Sequence, residues 1–539
     1  MSTEDLLAMC KRRGFLYPSF EIYGGTAGFY DYGPLGAVIK NNIEQLWRRY
    51  YLAHDNFAEI SCPALTPEAV LKASGHADRF TDYIAICSRC KSTYRADHLL
   101  KGVVEDPSKL DLEGIRRAFE ERDIKCEKCG QRLTEVSTFN LMFGTTIGES
   151  SKAYLRPETA QGIFINFPNA YRYFREKLPF GVIQLGRGYR NEISPRQGVI
   201  RMREFNMAEV EFFYDENRCR ELSNVWDEEL NLLTNTDERV RISVRETLDR
   251  GLVKNEYMLY FIALTKRFLT EVGIDESRLR FRQHAEEERA HYAIDCWDAE
   301  ALLDDWVEIV GIADRGTYDL TAHMNGSKED LSVERRKKGL KPKMEVLTER
   351  FGERTDRLAE NMSAMEFDED ADLDSINVDG VEIGKECFDI EIRKRGRFIP
   401  NVVEPSCGID RILYSLLYQS FRKEEDYAVL ALSPRVAPIK FGVFPLMRSR
   451  EMRDLAKKTY RALKDEGMEC YYDEAGSIGK RYARMDEIGT PFCITVDQDS
   501  LSDGTATIRF RDTKEQERIE IERLVSRARE LLQLQRGSE

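Results

Sequence analysis

The chain lacks a basic excess: 81 lysines and arginines stand against 95 acids, a net charge of −14 at pH 7. A protein that coats nucleic acid along its whole surface carries the opposite sign, so indiscriminate polyanion binding is excluded. Glycine (35) and proline (16) are too sparse among 539 residues for a collagen-like or low-complexity chain. With 42% hydrophobic and 33% charged residues it is not a predominantly disordered one either. No run reaches the roughly 18 apolar residues of a membrane-spanning helix, so no membrane partner is expected. Residues 1–20 place acids before bases and hold no apolar stretch of signal-peptide length. Twelve cysteines are too few for a disulfide scaffold at this length. Without an export signal they are expected as thiols or metal ligands in a reducing cytoplasm. Phosphate loops of the common kinds are missing too. The nearest candidate, Gly476-Ser-Ile-Gly479-Lys480-Arg481, has the wrong spacing and lacks the hydroxyl that would hold magnesium, and no G-x-G-x-x-G follows a strand. Any nucleotide is therefore held by another device.

What is present reads as an α/β (α+β) protein. At roughly 150 residues per domain the length makes three or four domains, enough to bury large cores. Residues 38–52 set Val38, Ile39, Ile43, Leu46 and Trp47 at helical spacing after the breaker Gly33-Pro34-Leu35-Gly36. A short strand, FAEISCPAL, follows. From Pro179 to Tyr214 the pattern is strand, loop, strand; Phe367 to Asp374 is an acidic, solvated loop; a domain boundary is expected across 424–438. Residues 437–539 hold 19 basic and 19 acidic residues, so the whole acidic excess lies upstream. In that last segment Val/Phe runs (KFGVFPL, FCITVD, TATIRFR) alternate with amphipathic helices expected over 451–466 and 515–534.

The hairpin 182–214, VIQLGRGYRNEISPRQGVIRMREFNMAEVEFFY, is the most informative stretch. Strand parity puts Arg190 and Glu192 on one face of its first arm. It puts Arg201, Arg203, Phe205, Met207, Glu209 and Glu211 on one face of its second. An aromatic to stack a base, arginines for phosphate and a carboxylate to accept from an exocyclic amine suit a nucleotide. The alternative is an exposed sheet face with surface ion pairs, each worth ~0–1 kcal/mol. Glu404-Pro-Ser406-Cys-Gly408-Ile-Asp410-Arg411, before the apolar ILYSLLY, reads either as an anion site at a helix start or as an ordinary capped helix. Cys87-x-x-Cys90 and Cys126-x-x-Cys129 form a four-thiolate set expected to hold structural zinc, the alternative being four unligated thiols. His284 and His291 in FRQHAEEERAHY fall on one face of an expected helix, read as structural or RNA-facing rather than metal-binding. The basic runs KRR (11–13) and ERRKKGLKPK (334–343) are expected as solvated faces, the second, with its glycine and proline, also offering cations to phosphates.

Arg190-Asn191-Glu192 with Arg201 and Phe205 resembles motif 2 of class II aminoacyl-tRNA synthetases, and Gly408-Ile-Asp410-Arg411 resembles their motif 3. The helix after Gly33 and the strand closing at Pro63 fit the looser motif 1, which usually builds the dimer interface. Further segments narrow the likeness: GGTAGFYDYGPLG (24–36), RADH (95–98), FNLMF (139–143), YLRPETAQGIF (154–164), RNEISPR (190–196), FRQH…AHYAIDCWDAE (281–300), EPSCGIDR (404–411) and GSIGKRYARMDEIGTPF (476–492). From about residue 10 to 530 the chain resembles the glycyl-tRNA synthetases of the archaeal/eukaryotic homodimeric type.

The resemblance implies a catalytic domain built on an antiparallel sheet with insertions, and a C-terminal α/β anticodon-binding domain. On that pattern residues 1–86, 139–215 and 376–430 form the catalytic domain. Residues 87–138 are a cysteine-bearing insertion, 216–375 an insertion reaching the tRNA acceptor end, and 437–539 the anticodon-binding domain. The implied substrates are glycine, ATP with Mg²⁺, and tRNA(Gly), in a cytoplasmic homodimer, with diadenosine tetraphosphate synthesis as a side activity. Arg190, Glu192 and Arg411 would be the catalytic residues. ATP would be held by Arg190, Asn191, Glu192, Ile200, Arg201, Met202, Arg203, Glu204, Phe205, Glu386, Cys387, Gly408, Asp410 and Arg411. Arg95, Glu158, Phe205, Glu209, Glu404 and Ser406 would surround glycine.

Carboxylate attack on the α-phosphorus needs no general base, because the nucleophile is already ionised; it needs two anions neutralised and held in line. The substrate ammonium needs carboxylates instead. Rival readings are a synthetase for serine, threonine, proline or histidine, and a non-catalytic relative such as the accessory subunit of mitochondrial DNA polymerase. The presence of Arg190, Glu192, Arg411 and the pocket glutamates argues against the second, and the RPET and EPSxG contexts against the first. No segment asks to be an editing site. With no overall basic charge, affinity for tRNA is expected to be modest and salt-sensitive.

Overall fold

The computed structural model describes residues 3–533 apart from 105–106, 108–109, 194, 196–197, 218–222, 291, 370 and 425–426. Its centre is a nine-stranded sheet. In chain order the strands are β1 (Phe57–Glu59), β2 (Phe180–Tyr189), β3 (Glu204–Tyr214), β4 (Glu229–Leu233), β5 (Arg239–Ser243), β6 (Leu279–Gln283), β7 (Asp295–Leu302), β8 (Trp306–Gly316) and β9 (Asn401–Gly408). Across the sheet the order is β5-β4-β6-β7-β8-β9-β3-β2-β1. The run β6-β7-β8-β9-β3-β2 is antiparallel throughout; β1 joins β2, and β4 joins β6, in parallel.

Alternation along β3 shows why the sheet has two unlike faces. Ala208, Val210, Phe212 and Tyr214 point into the main core. That core is closed by the helices α1 (Pro34–Leu52), α2 (Glu256–Val272) and α3 (Ile409–Ser420). The first of these buries Ile39, Ile43, Leu46 and Trp47, four of the five residues whose spacing marks it in the sequence. Asn255 caps α2 by accepting from the backbone of Tyr257 and Met258 at 3.0 and 3.2 Å. The other face of β3 carries Phe205, Met207, Glu209 and Glu211, then Phe213. Phe213 packs with Phe164, Phe167 and Leu320 from helices at Ala160–Ile165, Phe167–Tyr173 and Tyr318–Ser327. Charge is thus confined to the stretch of this face that the helices leave roofed but not filled.

Three further bodies attach to this sheet, and two of them depart from the expected boundaries. The cysteine-bearing unit is not confined to 87–138: its sheet is built from Thr81–Ile86, Thr93–Arg95 and Glu135–Asn140, so it begins and ends inside its neighbours. The stretch 216–375 is not one insertion either. Strands β4 to β8 belong to the central sheet, because apolar alternation such as that of CWDAEAL lets them extend it. The separate unit runs instead from Val333 to Phe398. There a three-stranded sheet (Glu366–Asp368, Val333–Pro342, Phe388–Phe398) packs its own core from Leu340, Leu347, Leu358, Met362, Ile383 and Phe388. The first part of 376–430 therefore belongs to this unit and not to the catalytic sheet.

The last body is a five-stranded mixed sheet ordered Cys470–Tyr472, Phe441–Pro445, Phe492–Val496, Thr505–Phe510, Gln516–Glu520. Helices at Arg450–Asp465, Ile478–Glu487 and Leu524–Gln533 accompany it. The helix expected over 515–534 is half strand, since QERIE alternates with period two and extends the sheet edge. Arg12 and Arg13, expected as a solvated face, instead both pair with Glu487 and tie the N-terminal helix Thr3–Arg13 to this domain. No helix among the described residues is long and apolar enough to cross a membrane.

Candidate active site

An open cavity of about 640 Å³ lies on the charged face of the sheet. Arg190, Glu192, Ile200, Arg201, Met202, Phe205, Ser406, Gly408, Asp410 and Arg411 line it, ten of the sequence-marked residues. They do not get there by strand parity alone. β2 ends at Tyr189, so Arg190 and Glu192 stand beyond it in a tight turn, Glu192 N donating to Arg190 O at 2.6 Å. Arg201 and Arg203 precede β3 rather than alternate along it. The turn is held from outside: Asn191 N donates to Leu141 O at 2.6 Å, and Ile193 packs on Leu141 and Ile84 of the cysteine-bearing unit.

The Arg190 guanidinium sits 5.3 Å from the rings of both Phe80 and Phe205, an arrangement that fixes a cation while leaving its edge to hydrogen-bond. Gly188 makes room for it, since a Cβ there would meet the Phe205 ring at 2.7 Å. Glu192 Oε2 is buried with no hydrogen-bond partner among the described residues, and Arg201 Nε lies 3.4 Å away. At the far wall Arg411 donates to Glu308 O and Oε2, both at 3.0 Å, and to Ile200 O at 3.1 Å. The Arg411 guanidinium beside it holds the Glu308 carboxyl below its usual range. Asp410 is turned inward, accepting from Asn206 Nδ2 at 2.8 Å and from the Tyr32 hydroxyl, and so clamps β3 to α3.

Ser406 leads from this cavity to a second, acidic compartment. Its hydroxyl donates to Glu209 Oε1 at 2.9 Å, while Glu209 Oε2 accepts from Thr159 N at 2.6 Å and from the Thr159 hydroxyl. Glu404, next along β9, accepts from Arg315 Nη1 at 2.6 Å. Arg315 also donates to both oxygens of Asp319, at 2.7 and 2.9 Å, and lies 3.9 Å from Glu158. Glu158 in turn lies 3.3 Å from His76 Nε2 and accepts from Gln161 at 2.9 Å. All of these carboxyls are buried. Burial alone would raise Glu158, but His76 and Arg315 more than offset it and hold that carboxyl well below the usual range. For Glu209 burial and the neighbouring Glu158 win, and it is raised. Glu404 is pushed up to about 8 by burial, with Arg315 opposing and Glu209 and Glu158 adding to the rise.

Residues 143–338 match the tRNA synthetase class II core domain family (G, H, P, S and T), and residues 435–531 match the anticodon binding domain family. The glycine–tRNA ligase of Methanothrix thermoacetophila is 48% identical across 98% of this chain and 97% of its own length. This chain belongs to the glycine–tRNA ligase family. Those of Methanocaldococcus jannaschii and Archaeoglobus fulgidus are 46% and 45% identical, each over at least 97% of both chains.

Within this class II synthetase fold several sequence expectations move. Glu386 and Cys387 do not line the cavity: Glu386 pairs with Arg350 at the surface of the 333–398 unit, and Cys387 is buried in that unit's own core. The positions expected of them are taken by Glu308 and Ile309 on β8. Arg95 does not join the acidic compartment. It lies 3.2 Å from Asp82 and 2.8 Å from Asp97, on the side of Glu192. Arg203 is structural, donating to Glu192 O and Ala27 O, and Glu204 turns outward to Arg187. His284 is not on a helix; it follows β6 and bonds Asp298 Oδ2 at 2.6 Å, close to Cys296. His291, Ser194 and Arg196 lie outside the described residues. The four cysteines do converge: Cys87 and Cys129 sulfurs are 3.5 Å apart, as are those of Cys90 and Cys126, and all four lie within 4.8 Å of one another.

A raised carboxyl means that the native state holds more protons than the unfolded chain, so its stabilising contribution fades as pH rises toward the folded value. For Glu404 that window runs from the ordinary carboxylate range to about 8. The melting temperature should therefore fall across pH 5.5–8.5, and less steeply in Glu404→Gln. Equal slopes in thermal melts of the two proteins would remove the protonated acid from the account.

Proposed function

We infer that this chain activates glycine with ATP to glycyl-adenylate and pyrophosphate, and then esterifies the 3′ end of tRNA(Gly). Ser406 carries the inference: one side chain lines the arginine-bearing cavity and bonds a carboxylate of the acidic compartment. A cation-binding pocket and an anion-binding cavity thus share a wall, as a zwitterionic amino acid meeting a polyphosphate requires. Phe205 offers a ring to adenine and Glu192 Oε2 an acceptor for its amine. Arg190 and Arg411 face the phosphates from opposite walls, and Glu158, Glu209 and Glu404 take the ammonium. Charge neutralisation and alignment supply the rate, with no side chain required to remove a proton.

Mg²⁺ fits a gap over Gly311. Glu308 Oε1 and Asp298 Oδ1 both stand 3.9 Å from where a Cβ at that position would lie, and hard oxygen donors are what this ion takes. These two carboxylates would hold it, with His284 fixing Asp298 from behind, and the bound ion would neutralise phosphate charge. Selection for glycine rests on size: a packed pocket rejects an added methyl by roughly 1–3 kcal/mol where it can adjust, more where it is rigid.

The assay that decides is exchange of labelled pyrophosphate into ATP. It should require glycine and fail with serine, threonine, proline or histidine; no glycine-dependent exchange would refute the reading. Glu158→Gln and Glu209→Gln should raise the KM for glycine by roughly 30-fold or more, on the scale of losing one partner of a buried charged contact, and move that for ATP far less. Arg411→Ala should reverse the order. Equal loss on both substrates in all three would contradict the assignments.

The four cysteines fit tetrahedral zinc, whose bonds of about 2.3 Å set thiolates about 3.8 Å apart. The metal would brace the sheet that carries Phe80, Leu141 and Arg95, and through them Arg190 and Asn191. Chelator-washed protein should retain about one zinc per chain by metal analysis; under half an equivalent would refute it.

A homodimer is proposed on the surface of the turn Glu21–Tyr23, beside the helix Thr3–Arg13, where Ile22 is 91% and Tyr23 87% exposed, more apolar area than a free loop tip ordinarily shows. Ile22→Asp combined with Tyr23→Asp should convert a sedimenting dimer to monomer. A wild-type monomer at micromolar concentration would end the proposal. Contacts with tRNA fall to the C-terminal domain and the ribbon of Val333–Pro342 with Phe388–Phe398. Many of the ribbon's cations are already paired, Lys337 with Asp368, Lys394 with Glu334 and Arg395 with Glu366, so phosphates must compete for them.

A further inference from the structure

Glu211 has no part in the reading above. It is fully buried, and neither carboxyl oxygen has a hydrogen-bond partner among the described residues. On β3 it stands two residues beyond Glu209, on the same face. The register that pairs Glu209 with Ser406, carried one step further, sets Glu211 beside Glu404. On its other side β2 offers only Val182. The ionisable groups around it come from every neighbouring element. They are Glu209 on its own strand, Glu404 on β9, Arg315 on β8 and Asp319 and His323 on the helix Tyr318–Ser327. Glu158 comes from the segment before the helix Ala160–Ile165, His76 from the helix His76–Arg79, and Tyr292 from the segment before β7.

Five carboxyls therefore share Arg315 and the imidazoles of His76 and His323, with Arg156 acting on Glu209 alone from the side of β2. Arg315 spends its donors on Asp319 and Glu404, and His76 faces Glu158. Among the described residues nothing is left to donate to Glu211. An ionised carboxylate buried without a partner costs several kcal/mol, and such a group takes up a proton instead. Burial, with Glu404 next to it, accordingly lifts this carboxyl well above the ordinary range.

We propose that glycine binding in this compartment is linked to proton release, with Glu211 the positioning acid that ionises when the substrate ammonium enters. The proposal rests on the acidic compartment being the glycine pocket. In the step itself the O–H bond of the Glu211 carboxyl breaks and its proton passes to solvent buffer. The carboxylate left behind balances the incoming ammonium, so the compartment gains a cation and an anion together. Without substrate the acid is neutral and the cluster does not repel itself; with substrate it supplies counter-charge. Glu211 need not touch the ammonium to do this.

Calorimetry of the full chain with glycine, run in phosphate and in Tris at pH 7.5, counts the protons. About 0.5–1 proton should leave per glycine bound, and affinity should rise by up to about tenfold for each pH unit over which a full proton is released. In Glu211→Gln the count should fall by at least half and the pH profile become shallower, the remainder coming from Glu404, whereas a merely structural residue would change affinity without touching the count. Glycine that binds the wild-type protein with no proton released overturns the proposal, however the variant folds. So does an unchanged count in a folded Glu211→Gln. Should the glutamine variant not fold, Glu211→Met is read in the same way, and loss of a protonated-carboxyl infrared band on adding glycine to the wild-type protein must accompany the release. Absence of any glycine binding would overturn the pocket reading itself, and the linkage with it.

Discussion

One buried guanidinium sets the terms for the site. Arg315 is 1% exposed, lies 3.8 Å from the Tyr292 ring and donates to Asp319 and Glu404. A charge that deep persists only with partners, and the partners are acids. Once acids are concentrated there, a second cation is welcome, and the pocket is suited to an ammonium before any substrate arrives. A shift in register between Asp314 and Gly316, where β8 runs beside β9, falls at this arginine, a local break of the kind that re-aims a side chain. The acid cluster, its raised carboxyls and its appetite for a cation all follow from placing one arginine under a helix.

The nucleotide side depends on a different economy. Nothing on β2 holds the Arg190–Glu192 turn, because the strand has ended. The turn is carried by Arg203, which accepts from Arg190 N and donates to Glu192 O, and by Leu141 and the ring of Phe80, the last two from chain that folds with the cysteine-bearing unit. That unit has only a small apolar core of its own, and units of that size ordinarily need a staple. Four converged thiols are the available one. A module that looks peripheral in the sequence is therefore a buttress for the Arg190–Glu192 turn of the arginine-bearing cavity.

How much of this the sequence discloses depends on the range of the interaction. Alternation along 204–214 is enough to put Phe205, Met207, Glu209 and Glu211 on one face, because the side-chain period of a strand is local. The same rule fails for Arg190 and Glu192, since where β2 stops is decided by contacts with Leu141. A spacing of seven between His284 and His291 likewise makes FRQHAEEERAHY resemble a helix when β6 ends inside it. Glu308 and Ile309 carry no local mark in WVEIVG; they reach the cavity because β8 lies beside β9, bringing Glu308 to Arg411 across 103 residues. Glu386 and Cys387 stand just before a strand instead, and belong to a unit with its own core. Register between distant strands is the missing information in each case. Family membership, by contrast, is legible at once, because the motif segments keep both identity and spacing.

The net charge of −14 also reads differently once the acids are located. A formal count treats every carboxyl as ionised. Glu211 and Glu404 are held toward their neutral forms, and Glu158 and Asp319 are spent on His76 and Arg315 inside the protein. None of these presents its charge to an approaching polyanion. Outside the cluster, the C-terminal segment is balanced, and many cations of the 333–398 ribbon are matched by acids on the same surface. The repulsion a tRNA meets is therefore weaker than the count implies, and so is the attraction. Binding must come from shape and from exchange of ion-pair partners at the surface, a mode that salt weakens and that gives long unstructured polyanions little to hold.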